Sequence, residues 1–258
     1  ADTSGLYLFA VERHIPSTSN MVAYITKDYN SGYQHGDIKC ATLSDTDDTN
    51  KTNGQTEADR SRNNNALTVS GTVTKSAVMP GAELVSYSGW QSGTYIQSIA
   101  DIFSWGTDAF SFMFWVYPEN AGAADDQLMG YGDQTSNDGF NIYLNADSNY
   151  AHLDCGYLGV TDSFAASTGN GPLTGMRLIT GKWNHCCIVK YDDTFFTYVN
   201  GEKYEETWTG SGINWDTKWN SPQFVIGNRA GFSSSDQPTN SGTKLALVRA
   251  GRGAPRPE

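Results

Sequence analysis

Three tryptophans, Trp208, Trp215 and Trp219, fall within the turn-rich stretch Thr207 to Pro222, beside Asn214, Asp216 and Asn220. Indole rings stack on the apolar faces of pyranoses, and neighbouring amide and carboxylate groups can hydrogen-bond sugar hydroxyls, so this segment is the candidate carbohydrate-recognition surface. Two other uses fit the same residues: a plug at one end of the fold, or a contact between subunits, since protein interfaces are also rich in aromatic residues. A second constellation, Asp133-Gln134-Thr135-Ser136-Asn137-Asp138, puts hard oxygen donors in a short loop between two strand patterns. Calcium takes such ligands, and Asp133, Asn137 and Asp138 are the candidate set. The same residues also serve as ordinary turn formers.

Other chemistries lack their residues. There is no G-x-S-x-G nucleophile elbow. Gly175 to Lys182 has five residues between its glycines, and Trp183 stands where a phosphate loop needs Ser or Thr. His14, His35, His152 and His185 have no partner nearby in sequence, and His185 is expected to pack within a sheet. Cys40, Cys155, Cys186 and Cys187 show neither zinc-site spacing nor a disulfide framework, so the adjacent pair reads as two small apolar residues on opposite faces of one strand.

The elements that must position these residues are strands. In Asp108 to Pro118, Phe110, Phe112, Phe114 and Val116 share one phase, and Ser111, Met113, Trp115 and Tyr117 the other. A strand this apolar on both phases belongs at the centre of a sheet and is expected to be covered on both sides. Phe140, Ile142 and Leu144 alternate in the same way, and Trp183 to Tyr191, Phe195 to Val199, Gln223 to Gly227 and Lys244 to Arg249 add further strands. Asn200-Gly201 predicts a type I′ hairpin turn. Upstream, Leu6 to Val11 and Met21 to Thr26 read as two more short elements, whereas residues 44–65 are so polar that they read as a linker or a long exposed loop. No amphipathic helix is evident. The chain is therefore expected to be an all-β, two-sheet antiparallel jelly-roll sandwich over residues 61–258, preceded over residues 1–60 by an extension with a few short strands.

Composition narrows the partners. Seventeen basic against 28 acidic residues give a net charge of −11, which disfavours nucleic acid. The longest apolar run, Phe112 to Tyr117, is far too short to insert in a membrane, and the first residues lack the pattern of a signal peptide.

Taken in order, Thr94-Tyr95-Ile96, Asp108 to Val116, Gly139 to Tyr143, Gly181-Lys182-Trp183-Asn184-His185, Phe196 to Gly201, Phe224 to Gly227 and Leu245 to Arg249 resemble the strands of laminin-G-like domains in the concanavalin A-like lectin/glucanase superfamily. The resemblance covers roughly residues 66–250. Upstream, Thr26 to Tyr33, Gly36 to Lys39, Leu43 to Asp47 and Asp59-Arg60-Ser61 are similar to bacteriophage tail-fibre and virion structural proteins that carry this sandwich. The resemblance implies a non-enzymatic virion component (tail fibre, appendage or decoration) that docks on other virion proteins through residues 1–60, forms homo-oligomers and needs no cofactor except possible calcium. A host adhesin that binds surface glycan through the same sandwich is the alternative. A glycoside hydrolase is the distant one, because the superfamily's glucanases use E-x-D-x-x-E and Glu202-Lys203-Tyr204-Glu205-Glu206 breaks that spacing.

Overall fold

From Phe110 to Tyr117 the backbone alternates as its sequence demands. Phe110, Phe112, Phe114 and Val116 are buried, while Ser111, Met113, Trp115 and Tyr117 are half-buried on the opposite face. The structure, a computed structural model, describes residues 37–103, 105–120, 126–133, 138–147, 150–158, 163–166, 177–191, 194–207, 223–228 and 239–253. Its first strands are β1 (Asp37–Thr42), β2 (Lys51–Thr52), β3 (Thr56–Glu57), β4 (Leu67–Ser70), β5 (Thr72–Ala77), β6 (Val85–Ser88), β7 (Tyr95–Ser98), β8 (Phe110–Tyr117) and β9 (Asp126–Asp133). There follow β10 (Asp138–Asp147), β11 (Tyr150–Leu158), β12 (Ser163–Ala166), β13 (Arg177–Leu178), β14 (Asn184–Tyr191), β15 (Thr194–Val199), β16 (Glu202–Thr207), β17 (Phe224–Ile226) and β18 (Lys244–Arg252). No helix long and apolar enough to cross a membrane occurs among the described residues.

The strands form two antiparallel sheets. One runs β16-β15-β14-β8-β18-β6-β5-β2, with β1 also on β18; the other runs β12-β11-β10-β9-β17-β7-β4-β3, with β13 also on β11. This is the expected sandwich. Its core is aromatic: Phe103 stacks on Trp105 at 4.5 Å and meets Tyr131 at 4.8 Å, Phe224 at 5.1 Å and Phe112 at 5.8 Å. Because Phe112 belongs to the first sheet and Tyr131 and Phe224 to the second, this cluster joins the two layers. Such ring pairs contribute about 0.5–1.5 kcal/mol each beyond the area they bury. Gly227, at φ +86°, presses its backbone against the fully buried Trp90, where a Cβ would come within 2.1 Å of the indole. Asn200 and Gly201 both take positive φ, 52° and 86°, as the type I′ turn requires.

Two expectations need correction. First, β8 is central, but its second face is half-buried rather than covered. Second, residues 44–65 are not a linker. They supply β2 and β3, the terminal strands of the two sheets, and β1 pairs with β18 from Asp37↔Arg252 to Thr42↔Val248. The sheets thus begin well before residue 61. What makes the polar segment fold is internal satisfaction of its own groups. The buried Asp59 carboxylate accepts from Ala41 N–H at 2.8 Å, from the backbone and hydroxyl of Ser61 at 2.9 and 2.8 Å, and from the backbone and side-chain amide of Asn65 at 2.8 and 2.6 Å. A sequence scan scores these residues as solvent-seeking; here their solvent is one another. Leu6 to Val11 and Met21 to Thr26 lie outside the described residues.

Asp59→Ala strands these donors in a buried setting and is expected to destabilise the fold by at least about 2 kcal/mol. Urea denaturation checks this; an unchanged midpoint would mean that the loop does not anchor β1.

Candidate functional site

Antiparallel pairing of β14 with β8 sets His185 opposite Trp115, and their rings lie 5.2 Å apart. Just before β14, Trp183 meets Tyr117 edge-on at 5.7 Å, and the Lys244 ammonium sits over the Tyr117 ring at 5.3 Å. Trp115, Tyr117, Trp183 and His185 are all half-buried, so the outward phase of β8 and the start of β14 form one continuous aromatic platform. Underneath, Trp115 and Trp183 pack with Val78, Leu84, Ala246 and Leu247. The Trp183 indole N–H donates to the Val78 carbonyl at 3.2 Å, which fixes the ring plane.

The platform is held by a buried amide. Asn184, with no exposed surface, accepts from Ile179 N–H at 2.9 Å and donates to the carbonyls of Ile179 and Lys182 at 3.0 and 2.9 Å. Asn200 then donates to Asn184 Oδ1 at 3.0 Å and accepts from His185 N–H at 3.0 Å. The hairpin turn thereby locks the Trp183-Asn184-His185 backbone. Burial, reinforced by the Arg249 charge, holds the His185 imidazole below the ordinary histidine range, so the ring is neutral at physiological pH. It can offer one donor, one acceptor and a flat face.

A second constellation closes the edge of the sandwich. Asp45 Oδ2 takes Lys75 Nζ at 3.0 Å and Lys51 Nζ at 3.2 Å, and its Oδ1 takes Arg60 at 3.3 Å. Lys51 also pairs with Glu57 at 2.7 Å, while Tyr87 O–H donates to Glu57 at 3.0 Å. Because β2 and β3 end opposite sheets, the Lys51–Glu57 pair ties one layer to the other. Burial pushes the Asp45 carboxyl up, but the Lys75 hydrogen bond and the Lys51 charge outweigh it and hold Asp45 below the ordinary carboxylate range. Burial dominates at Glu57 and holds it above that range. The Lys51 ammonium is lowered by burial, yet the bond and charge of Glu57 prevail and raise it.

The sequence-derived candidates fall elsewhere. Trp208, Asn214, Trp215, Asp216, Trp219 and Asn220 all lie outside the described residues. Asp133 and Asp138 are cross-strand partners in the β9–β10 ladder. Their side chains, and Asn137 altogether, are outside the description. Among the described residues, no group of three or more His, Cys, Asp or Glu side chains is placed to hold a metal ion. His185 packs in the sheet as expected, on Trp115. Cys186 and Cys187 are free and buried; burial pushes the Cys187 thiol up to about 12, an unreactive state. Sequence reading missed the platform because it assigned Trp115 and Tyr117 to a covered face. The signal available was their common phase on β8, together with the Trp-x-His pattern in the strand that pairs with it.

An antiparallel jelly-roll with an aromatic outer face defines a lectin-like sandwich. The family model described as the concanavalin A-like lectin/glucanases superfamily matches residues 91–243, more than half of the chain, and the protein belongs to that superfamily. No curated protein matches it by sequence. Among solved structures it is similar to domain 4 of AbnA, a GH43 extracellular arabinanase from Geobacillus stearothermophilus, in complex with arabinotriose. That likeness has 15% identity and a TM-score of 0.54, over 86% of this chain and 95% of that one. The enzymatically active domain of bacteriophage CBA120 tailspike protein 2 aligns at 15% identity and TM-score 0.53, over 73% of this chain and 29% of the tailspike. The binding domain of botulinum neurotoxin serotype D aligns at 12% identity and TM-score 0.54, over 83% and 49%. At these identities the likeness is one of fold. The chain spans nearly all of the arabinanase domain but less than a third of the tailspike chain.

Asp45→Asn leaves the fully buried Lys75 ammonium without its counter-charge and is expected to cost about 3–5 kcal/mol, whereas Lys75→Met, which leaves Asp45 with Lys51 and Arg60, costs less than half of that. The two carboxyls bias the pH response in opposite directions. Asp45, lowered on folding, contributes stability above the ordinary carboxylate range and loses it as pH falls through its lowered value. Glu57, raised on folding, takes up a proton more readily in the native state, so its ionisation weakens the fold as pH rises from the ordinary range through its raised value. Glu57→Gln should therefore remove a decline in stability over that window, measured by urea denaturation between about pH 4 and 8. The same decline in the variant would assign it to another group.

Proposed function

We propose that this sandwich recognises carbohydrate without cleaving it, and that it does so as a displayed structural component of a bacteriophage virion. The observation that carries the recognition is the platform of Trp115, Tyr117, Trp183 and His185. It combines flat rings for the faces of sugars with a neutral imidazole for their hydroxyls, already held in place by Asn184 and Asn200. Superfamily membership supports the reading, as does likeness of fold to an arabinanase domain solved with arabinotriose.

Absence of catalysis is part of the proposal. Cleavage with retention needs two accessible carboxyl groups flanking the scissile bond. Asp45 and Glu57, which do have oppositely shifted carboxyls, are both engaged by Lys51, and the Glu57 side chain is wholly inaccessible. A group that cannot reach a glycosidic oxygen cannot protonate it.

The virion assignment draws on the resemblance of residues 26–61 to tail-fibre proteins and on the tailspike's similar fold. Since β1 already belongs to the sandwich, docking on other virion proteins falls to residues before Asp37. Many copies on one particle would let weak single-site binding to a host surface glycan suffice.

A glycan array should give saturable binding, weakened at least about tenfold, or about 1.4 kcal/mol, by Trp115→Ala or Trp183→Ala with the fold intact. The loop reading predicts a comparable loss in Trp215→Ala. Release of reducing ends from a bound glycan would overturn the non-catalytic assignment. Mass spectrometry of purified particles should detect the chain; particles without it would refute the virion assignment.

A further inference from the structure

Beside the edge ion pairs lies an open cleft of about 660 Å³ whose lining is entirely polar apart from Gly54. We infer that this cleft is a second saccharide subsite, one that takes a neutral, hydroxyl-rich sugar through fixed side-chain amides rather than through aromatic stacking. The inference extends the carbohydrate reading but rests on different residues. The cleft lies at the β2 end of the sheet and shares no lining residue with the platform on β8 and β14.

The argument starts from two amides that the fold has already oriented. Lys75 N–H donates to Asn50 Oδ1 at 2.9 Å, and Thr52 N–H donates to Gln55 Oε1 at 2.6 Å. A backbone N–H can only donate, so each amide oxygen must face it and each NH2 must face away. Both residues line the cleft and both are exposed. The two NH2 groups are thus donors held in place before a ligand arrives, which lowers the ordering cost of binding. Asp47 is oriented in the same manner. Its Oδ1 accepts from the backbone and hydroxyl of Thr49 at 2.9 and 2.7 Å, so its Oδ2 remains an acceptor. Arg60, bound to Asp45 through one terminal nitrogen and partly exposed in the cleft, has further N–H groups to donate.

Charge then selects the ligand. The lining carries three cations, Lys51, Arg60 and Lys75, and two anions, Asp45 and Asp47; Asp45 engages all three cations and the buried Glu57 behind the cleft also engages Lys51, so little charge is left to attract an ion. Fixed donors beside a fixed acceptor suit vicinal hydroxyls, each of which accepts one hydrogen bond and donates another. With no aliphatic or aromatic residue in its lining, the cleft offers no flat apolar face on which a ring could stack. A volume of this size lies within the range of small-molecule sites and accommodates a short oligosaccharide.

The test is a titration of the ¹⁵N-labelled chain with maltotriose, cellotriose and mannotriose, and separately with trigalacturonate and inorganic phosphate. At least one neutral trisaccharide should shift the side-chain amide signals of Asn50 and Gln55 saturably, with Kd of about 1 mM. The double variant Asn50→Asp, Gln55→Glu keeps the oxygen that each backbone N–H needs but deletes the donors. It should weaken this binding at least about tenfold without lowering Tm, and Trp115→Ala should leave it unchanged. Shifts at the platform with none at the cleft amides would overturn this inference and leave the platform standing; the reverse pattern would refute the platform and uphold the cleft. A response to trigalacturonate or phosphate alone, or to nothing, or wild-type binding by the double variant, refutes the neutral-sugar subsite.

Discussion

The packing of Phe112 against Phe103, Phe140 and Phe224 constrains everything else in the molecule, because it fixes the phase of β8. Once even-numbered residues enter the core, Met113, Trp115 and Tyr117 must face outward, and a slip of one residue would exchange the two sets. The core and the aromatic platform are therefore two faces of one register. Neighbouring strands are cut to fit it. In β18 a bulge between Ala246 and Arg249 resets the alternation: Leu245, Val248 and Ala250 are all buried, while Ala246 pairs with Trp115 and Arg249 with Met113. The extra residue, Leu247, takes φ +52° and donates its N–H to the carbonyl of Leu43, itself at φ +56°. Left-handed leucines are unfavourable by about 1 kcal/mol or more each. That both persist indicates how strongly the aromatic core dictates the register on either side of β8.

At the far edge the same sandwich is closed by charge instead of by rings. β2 and β3 are each two residues long and cannot bury much apolar area. Lys51, Glu57, Asp45 and Lys75 replace that area with mutually satisfied ions. Such a cluster adds little net stability over an apolar equivalent, but it is intolerant of partial loss, since any uncompensated member is left desolvated. It also ties Lys51, which lies between Asn50 and Gln55 in the chain, to Asp45 and Glu57.

What could be read in the sequence follows from this contrast. β8 and β10 announce themselves because burial on a pleated sheet writes a period of two, β14, β15, β17 and β18 read as short apolar runs, and Asn200-Gly201 marks its turn because few dipeptides accept two positive φ values. Cys186 and Cys187 likewise take opposite faces of β14, one in the main core and one on the outer side. Residues 44–65 misled for the converse reason. Asp45, Glu57 and Asp59 look hydrophilic whether water or Lys51, Lys75 and Asn65 surround them, and partners up to 30 positions apart leave no local pattern. β6 and β9 were also hidden: Ser86 and Ser88 are buried in one, and Gly130 and Gly132 interrupt the other, so neither shows clean alternation. The platform was half legible. Its residues were named as a strand phase, yet a strand apolar on both phases does not say whether its second face meets another layer or solvent.

That ambiguity is itself informative. The half-buried aromatic face is positioned by more than packing. Here Trp183 is held by a hydrogen bond to Val78, and its backbone by Asn184 and Asn200, before any further contact is made. A buried amide that makes four bonds, as Asn184 does, is costly to build and unforgiving of change. Under the proposed reading, it lets the surface present one geometry to a ligand whose contacts are individually weak, as stacking on sugars is. Preorganisation reduces the ordering penalty on each encounter. If the chain is repeated on a particle, as proposed, repetition would multiply that advantage.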